Sequence, residues 1–261
     1  MEITAGKSIL GQLALGRLQF FTPSEPVLEQ KSGLGWEEEK ARFLQARQEA
    51  VLELAEFYDR ACGQVGKETA SIFSTHAALL EDEDFAQAVL DQLRQEGVTA
   101  QYAVRAVGKR LAAAFSAMDS LYMQARAKDI RDISRRVVRR LLGLRPVNPM
   151  TRGAAILVAD EILPSEIMEL DRSRLLGLIA RKGSVYSHAA MLLRAYRIPA
   201  LAEVELNTEW DGHTALLDGF AHRLYLDPDP AMAERLRRRY YGQDSRRMHD
   251  RTSERKEPRT V

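Results

Sequence analysis

An α/β layer structure interrupted by a long α-helical block is the fold class the sequence predicts, helix-rich and α+β overall. Three observations predict it. Residues 36 to 144 contain no proline and repeat apolar side chains at helical spacing. After Pro146, short apolar runs alternate with helix-like stretches, the pattern of a layered α/β structure. The first 20 residues are strand-like, yet the helical zone that follows offers them no strand partners. The N-terminal strands therefore belong with the later sheet, and the helices are an insertion. Residues 1–21 plus 145–230 make a discontinuous α/β domain, 34–144 a helical bundle, and 231–261 a C-terminal helix with a basic tail.

Each element has its local reason. "ALGRLQFF" (14–21) is apolar and punctuated by glycine, whereas "TPSEPVLEQKSGLG" (22–35) is a loop by its Pro, Gly and Ser content. Trp36, Phe43, Ala46, Ala50, Leu54 and Phe57 recur at spacings of three, four and seven, the stripe of an amphipathic helix. A second helical stretch breaks near "LLEDED" and stops at Gly97; Thr99 is the N-cap of the next. The stretch from Thr99 to Leu144 is long enough for two helices, with Gly143 near the end, and helices on such short connections form antiparallel bundles. Beyond it, "GAAILVA" (153–159) and "LLGLIA" (175–180) are strand candidates, and "LPSEIMEL" opens a helix at Pro164. "IPALAEV", "HTALLDG" and "HRLYLDP" add three more strands. The last 27 residues carry ten Arg or Lys against four Asp or Glu. "AMAERLRRRYY" reads as a closing helix, and the apolar-poor remainder as a disordered, solvated linker rather than a nucleic-acid arm.

Composition narrows the function. A 45% hydrophobic and 29% charged chain can build a core, and a net charge of +1 gives no bulk attraction to nucleic acid or an anionic membrane. With Cys62 as the single cysteine, intrachain disulfides and four-cysteine zinc sites are excluded. There is no signal-peptide pattern and no run of about 18 apolar residues, so the expectation is a cytoplasmic protein without membrane insertion.

The chemistry gathers at "GSVYSHAAMLLRAYRIPAL" (183–201). The apolar helical pattern starts at Ala189, and Ser187 or Ser184 is placed to cap it. His188 then sits in the first turn, where unpaired amides and the positive dipole end favour negative charge. Gly183 and Ser184 let the backbone approach an anion closely. The residues alone leave four readings open: phosphoryl carrier, metal ligand, half of a hydrolytic dyad, or a polar residue near a cap. Ser187 and His188 are sequence neighbours, which is poor geometry for a dyad. The five histidines show no H-x-x-x-H or H-E-x-x-H spacing, and no Gly-rich nucleotide loop ending in Lys-Ser/Thr is present.

The stretch "GSVYSHAAMLLRAYRIPALAEV" resembles the phosphohistidine signature of the phosphoenolpyruvate-utilising enzymes. "SIFSTHAALLEDEDF" (71–85), "ARAKDIRDISRRVVRRLLGL" (125–144) and "ILVADEILPSE" (156–166) are similar to enzyme I of the bacterial sugar phosphotransferase system. The four motifs stand in the family's order, and the resemblance covers roughly residues 1 to 240. It implies a swivelling α/β phosphohistidine domain with an inserted helical bundle. It further implies the activity of a phosphoenolpyruvate-protein phosphotransferase, with His188 as the nucleophile through Nε2 and Gly183, Ser184 and Ser187 cradling the phosphate.

The implied acceptor is the histidine phosphocarrier protein, docking at positions matching Glu68, Ala78, Leu79, Asp84, Phe85, Leu111, Phe115, Met123 and Arg126. Leu79, Leu111 and Phe115 fit bundle core as well. Arg126 and Arg131 read equally well as ion-pair partners of Asp129 or Asp132, and His76 as a structural histidine. Phosphoenolpyruvate and magnesium belong to a C-terminal domain of the full-length enzyme; no metal or cofactor is expected in this chain, which should be a monomer. The resemblance leaves alternatives: a multiphosphoryl protein of dihydroxyacetone phosphorylation, a dikinase, or a partner-binding module without catalysis. Two positions depart from the family. Ile167 stands where a threonine commonly hydrogen-bonds the histidine, and Thr69 where a lysine is usual, with Lys182, Ser184 or Ser187 as substitutes.

Overall fold

A computed structural model describes residues 2–22, 26–145, 148–150 and 152–241. The basic tail read from the sequence as disordered lies outside them. Three strands come first: β1 (Glu2–Ala5), β2 (Lys7–Ser8) and β3 (Leu13–Phe21). Five helices follow: α1 (Trp36–Val65), α2 (Lys67–Glu81), α3 (Glu83–Glu96), α4 (Ala100–Ser116) and α5 (Leu121–Leu141). The α/β part resumes with β4 (Ala155–Ala159), α6 (Pro164–Glu169), β5 (Leu175–Ala180), α7 (His188–Ala195) and β6 (Ala200–Ala202). It closes with β7 (Thr214–Asp218), β8 (Arg223–Leu226) and α8 (Pro230–Tyr241).

All eight strands form one sheet in the order β1-β8-β7-β3-β4-β5-β6-β2. β3 joins its two halves, running parallel to β4 and antiparallel to β7. The two edge strands, β1 and β2, are separated by Gly6 alone, so one bent N-terminal strand pairs with both rims and curls the sheet into a ring. That closure removes the unpaired edges an open sheet would present. Gly6 is required by contact: a Cβ there would lie 2.5 Å from Val204 Cγ2 and 2.9 Å from the Ala202 carbonyl.

Strand β4 is buried along its whole length because the sheet is covered on both sides. Ile156, Val158, Ile179, Leu201 and Leu217 point into the ring around Trp210. Their neighbours Leu157, Leu178, Ala200 and Ala202 face outward into a second core shared with α6, α7 and the bundle. The insertion is thereby fused to the sheet through one continuous apolar layer.

The helix boundaries follow the sequence signals. Gly66, at φ 88°, separates α1 from α2. Asp82 caps α3 by accepting from the Asp84 and Phe85 amides, Gly97 ends it in the left-handed conformation, and Thr99 caps α4 through the Tyr102 amide. Helices α4 and α5 approach closely at Gly108, where a Cβ would meet Ser134 Oγ at 2.2 Å and Ser134 Cβ at 2.6 Å. The sequence places a strand over "IPALAEV", but only Ala200–Ala202 pair, because Glu203 adopts a positive φ and the chain turns away. At the far end, Tyr240 stacks on Phe220 with centroids 4.2 Å apart, and the Tyr241 hydroxyl accepts from the Leu13 amide, pinning α8 to the ring. Among the described residues, no helix is long and apolar enough to cross a membrane.

Candidate active site

His188 is the first residue of α7. Ser187 is the N-cap, its Oγ accepting from the Ala190 amide at 3.2 Å, while Ser184 Oγ accepts from the Tyr186 amide at 3.1 Å. Arg194 reaches back from the last turn and donates to the Val185 carbonyl at 2.8 Å, fixing the 183–187 turn against its own helix. Gly183 lies half-buried beside Ala202. The turn thus presents His188 at the helix end with its side chain 34% exposed.

The decisive contact comes from the bundle. His188 Nδ1 lies 3.1 Å from Asp129 Oδ1 on α5, a hydrogen bond spanning 59 residues of sequence. Asp129 is 1% exposed. Burial is the strongest single influence and opposes ionisation. The hydrogen bond from His188 and the attraction of both His188 and His76 together exceed it, holding the carboxyl at about 2, below its ordinary 3.8. A carboxylate beside Nδ1 selects the tautomer protonated there and leaves the lone pair on Nε2, across the ring. Among the described residues, none hydrogen-bonds Nε2.

Behind this pair lies a second one. His76, fully buried on α2, places Nε2 3.2 Å from the same Asp129 oxygen and Nδ1 3.7 Å from Asp132 Oδ2. These are close approaches without hydrogen-bond alignment. Asp132 is held by Ser165 at the start of α6, whose amide donates at 3.0 Å and whose hydroxyl donates to the other carboxylate oxygen. Next to it, burial pushes Glu166 up to about 7, with Asp132 and Glu169 adding repulsion against the Leu163 amide and Arg135.

The reading of Arg126 and Arg131 as partners of Asp129 or Asp132 needs correction for Arg131. It points to the other side of α5 and pairs with Glu161 at 3.1 Å, alongside Lys128 at 3.1 Å. Two residues along a helix are about 200° apart, so Arg131 cannot share the face of Asp129. Lys182 is likewise engaged elsewhere, 3.1 Å from Asp160. Ile167 is fully buried in the shared core and brings no hydroxyl to the site.

The residues matched to carrier docking lie on α2 to α5. Glu68, Ala78 and Asp84 are exposed; Leu79, Leu111, Phe115, Met123 and Arg126 are half-buried. Phe85 is the exception: at 4% exposure it packs in the bundle core, offering a partner almost no surface.

Asp129, Asp132 and Ser165 were missed as site residues, and His76 was read as structural. The signal was present, since Asp129 and Asp132 fall three apart between the buried Ala127, Ile130 and Ile133. Carboxylates in phase with an apolar stripe need a buried partner. What the sequence does not show is that the partner comes from α7. Among the described residues, no group of three His, Cys, Asp or Glu side chains is arranged to hold a metal ion.

Comparison with known proteins agrees with this architecture. The family described as "PEP-utilising enzyme, N-terminal" matches residues 5–126, and "PEP-utilising enzyme, mobile domain" matches residues 151–222. The phosphoenolpyruvate-protein phosphotransferase of Bacillus subtilis (strain 168) is 29% identical over 231 residues, covering 87% of this chain and 40% of the relative. The chain spans about two fifths of the length of the curated relatives it matches. An NMR solution structure of an Enzyme I protein superposes with a TM-score of 0.66 over 96% of this chain and all of its own, at 24% identity. A structure of the N-terminal domain of Enzyme 1 – Nitrogen is similar at 27% identity, with a TM-score of 0.60 over 90% of this chain and 98% of its own.

Proposed function

The chain belongs to the PEP-utilising enzyme family, and from that premise we propose that His188 carries a phosphoryl group on Nε2 and exchanges it with the active histidine of a phosphocarrier protein. The observation that carries this reading is the Asp129–His188 contact, because it occupies Nδ1 and leaves the lone pair on Nε2, on a side chain one third exposed.

In the transfer, the Nε2 lone pair attacks phosphorus in line with the donor's P–N bond. As the new P–N bond forms, the old one breaks and its electron pair returns to the donor imidazole. No proton need move at the attacking atom, because Nδ1 already holds its proton against Asp129. That carboxylate then faces an imidazole ring that gains positive character, which stabilises the phosphorylated form. The amides of the first turn of α7, with its positive dipole end, favour the phosphoryl oxygens. Transfer of this kind depends on positioning and charge more than on covalent help from other side chains.

The carrier docks across α2–α5, with Glu68 and Asp84 meeting a basic face and Leu79, Leu111, Phe115 and Met123 forming the apolar centre. The exchange takes place in the cytoplasm and needs no metal. Phosphoenolpyruvate, the donor in the relatives' names, supplies the phosphoryl group in the complete system, where magnesium chemistry belongs. The test is to mix the protein with radiolabelled phosphocarrier in the presence of a metal chelator. Acid-labile, alkali-stable label should appear on this chain and be lost in His188→Ala. Absence of label on a chain that still binds the carrier would leave a docking module and end the catalytic reading.

A further inference from the structure

The geometry assigns His76 as a positioning residue for His188, acting through the single Asp129 oxygen that both rings approach. This assignment rests on the transfer proposed at His188.

His76 sits where packing alone would favour an apolar side chain. It is fully buried, its ring lies edge-on to Phe73 at 6.4 Å, and neither nitrogen makes an aligned hydrogen bond. A buried polar ring in that condition is unfavourable for stability, so packing does not account for it. Its surroundings give it another task. Asp129 Oδ2 is buried and has no partner among the described residues, whose contacts with the carboxylate are all at Oδ1. There are two: His188 Nδ1 at 3.1 Å and His76 Nε2 at 3.2 Å.

Without His76, the carboxylate would be held toward His188 by His188 itself, a side chain one third exposed. With it, the oxygen is fixed from a rigid, interior side. The fixation extends further, from His76 to Asp132 and from Asp132 to the amide and hydroxyl of Ser165. A polar track thus runs from α6 through α5 and α2 to the nucleophile on α7. Its expected effect is to keep His188 in the Nδ1-protonated tautomer, since the partner of one ring nitrogen determines the state of the other.

The test uses protein with ¹⁵N-labelled histidine, read before and after phosphorylation by the carrier, with His76→Phe and His76→Gln alongside. In the unmodified chain, His188 should show the Nδ1–H tautomer, and phosphorylation should move the His76 ring nitrogens as well. His76→Phe should give mixed tautomers at His188 and a transfer rate lower by about tenfold, the lower end of what losing the partner that orients a ligating histidine costs at metal sites, with carrier affinity unchanged. His76→Gln, whose amide can donate to the same oxygen, should recover most of the rate. A folded His76→Phe with unaltered His188 resonances and rate would overturn the assignment. So would His76 resonances that stay still when wild-type His188 is phosphorylated, a result that needs no variant to fold. Failure of the wild type to accept phosphate would instead refute the transfer reading, and the unphosphorylated tautomer comparison would still decide the role of His76.

Discussion

Replacing Asp129 with Asn removes the charge that His188 and His76 share while keeping the side chain's shape. The carboxyl is displaced from 3.8 to about 2, nearly two units at about 1.4 kcal/mol each, or roughly 2–3 kcal/mol of pH-dependent stability. The residue is almost wholly buried, so little of this is lost to solvent screening. The folded-state value is depressed, so the contribution is present above pH 3.8 and disappears as pH falls through about 2. Between pH 6 and pH 3 the linkage relation gives a loss of about 1 kcal/mol for the wild type that Asp129→Asn does not share. Urea unfolding of both proteins at the two pH values measures it. The wild type's advantage should shrink by about 1 kcal/mol on acidification. An advantage that is constant with pH would mean that Asp129 is not held ionised by the two histidines, and the tautomer argument at His188 would fall with it.

Other consequences follow from neighbouring parts of the structure. Glu166, raised to about 7 chiefly by burial, behaves in the opposite sense. Its contribution is favourable below about pH 4.5 and is lost as pH rises through 7. Glu166→Gln should therefore be relatively more stable at pH 8 than at pH 5, by about 2 kcal/mol in thermal or urea unfolding; equal effects at both pH values would contradict the assignment. Phe85→Ala should cost about 3–5 kcal/mol of stability by opening a core cavity. Asp84→Ala should leave stability unchanged and weaken carrier binding, most visibly at low salt; calorimetric titration separates the two. Gly108→Ala must push α4 from α5 at Ser134, and should lower stability by about 1–2 kcal/mol despite the better helix propensity of alanine. A stabilised variant would show that the helices separate at no cost.

The layered fold and its inserted bundle were legible because their signals are local. Helical periodicity, the glycine stop at Gly97, the Thr99 cap and the proline at the start of α6 each act within a few residues of themselves. The histidine turn was legible for the same reason, since Ser187 caps the very helix that His188 opens. Ring closure by the strand bent at Gly6 was not, because it depends on two rims that sequence separation does not relate. The Asp129 contact was hidden in the same way: α5 and α7 meet only after the bundle has packed on the sheet. Asp129 and Arg131 are two positions apart and look like ionic neighbours in sequence, yet the helix turns them to opposite tasks. Phe85 shows the converse, an aromatic matched to an interface by resemblance whose helix phase directs it inward in this structure.

The most direct measurement of the central claim is the ³¹P–¹⁵N correlation spectrum of the chain after exposure to phosphorylated carrier, with histidine labelled in ¹⁵N. A one-bond phosphorus coupling to Nε2 of His188, with Nδ1 still protonated, is the predicted result. Coupling at Nδ1, at another histidine, or nowhere would contradict it.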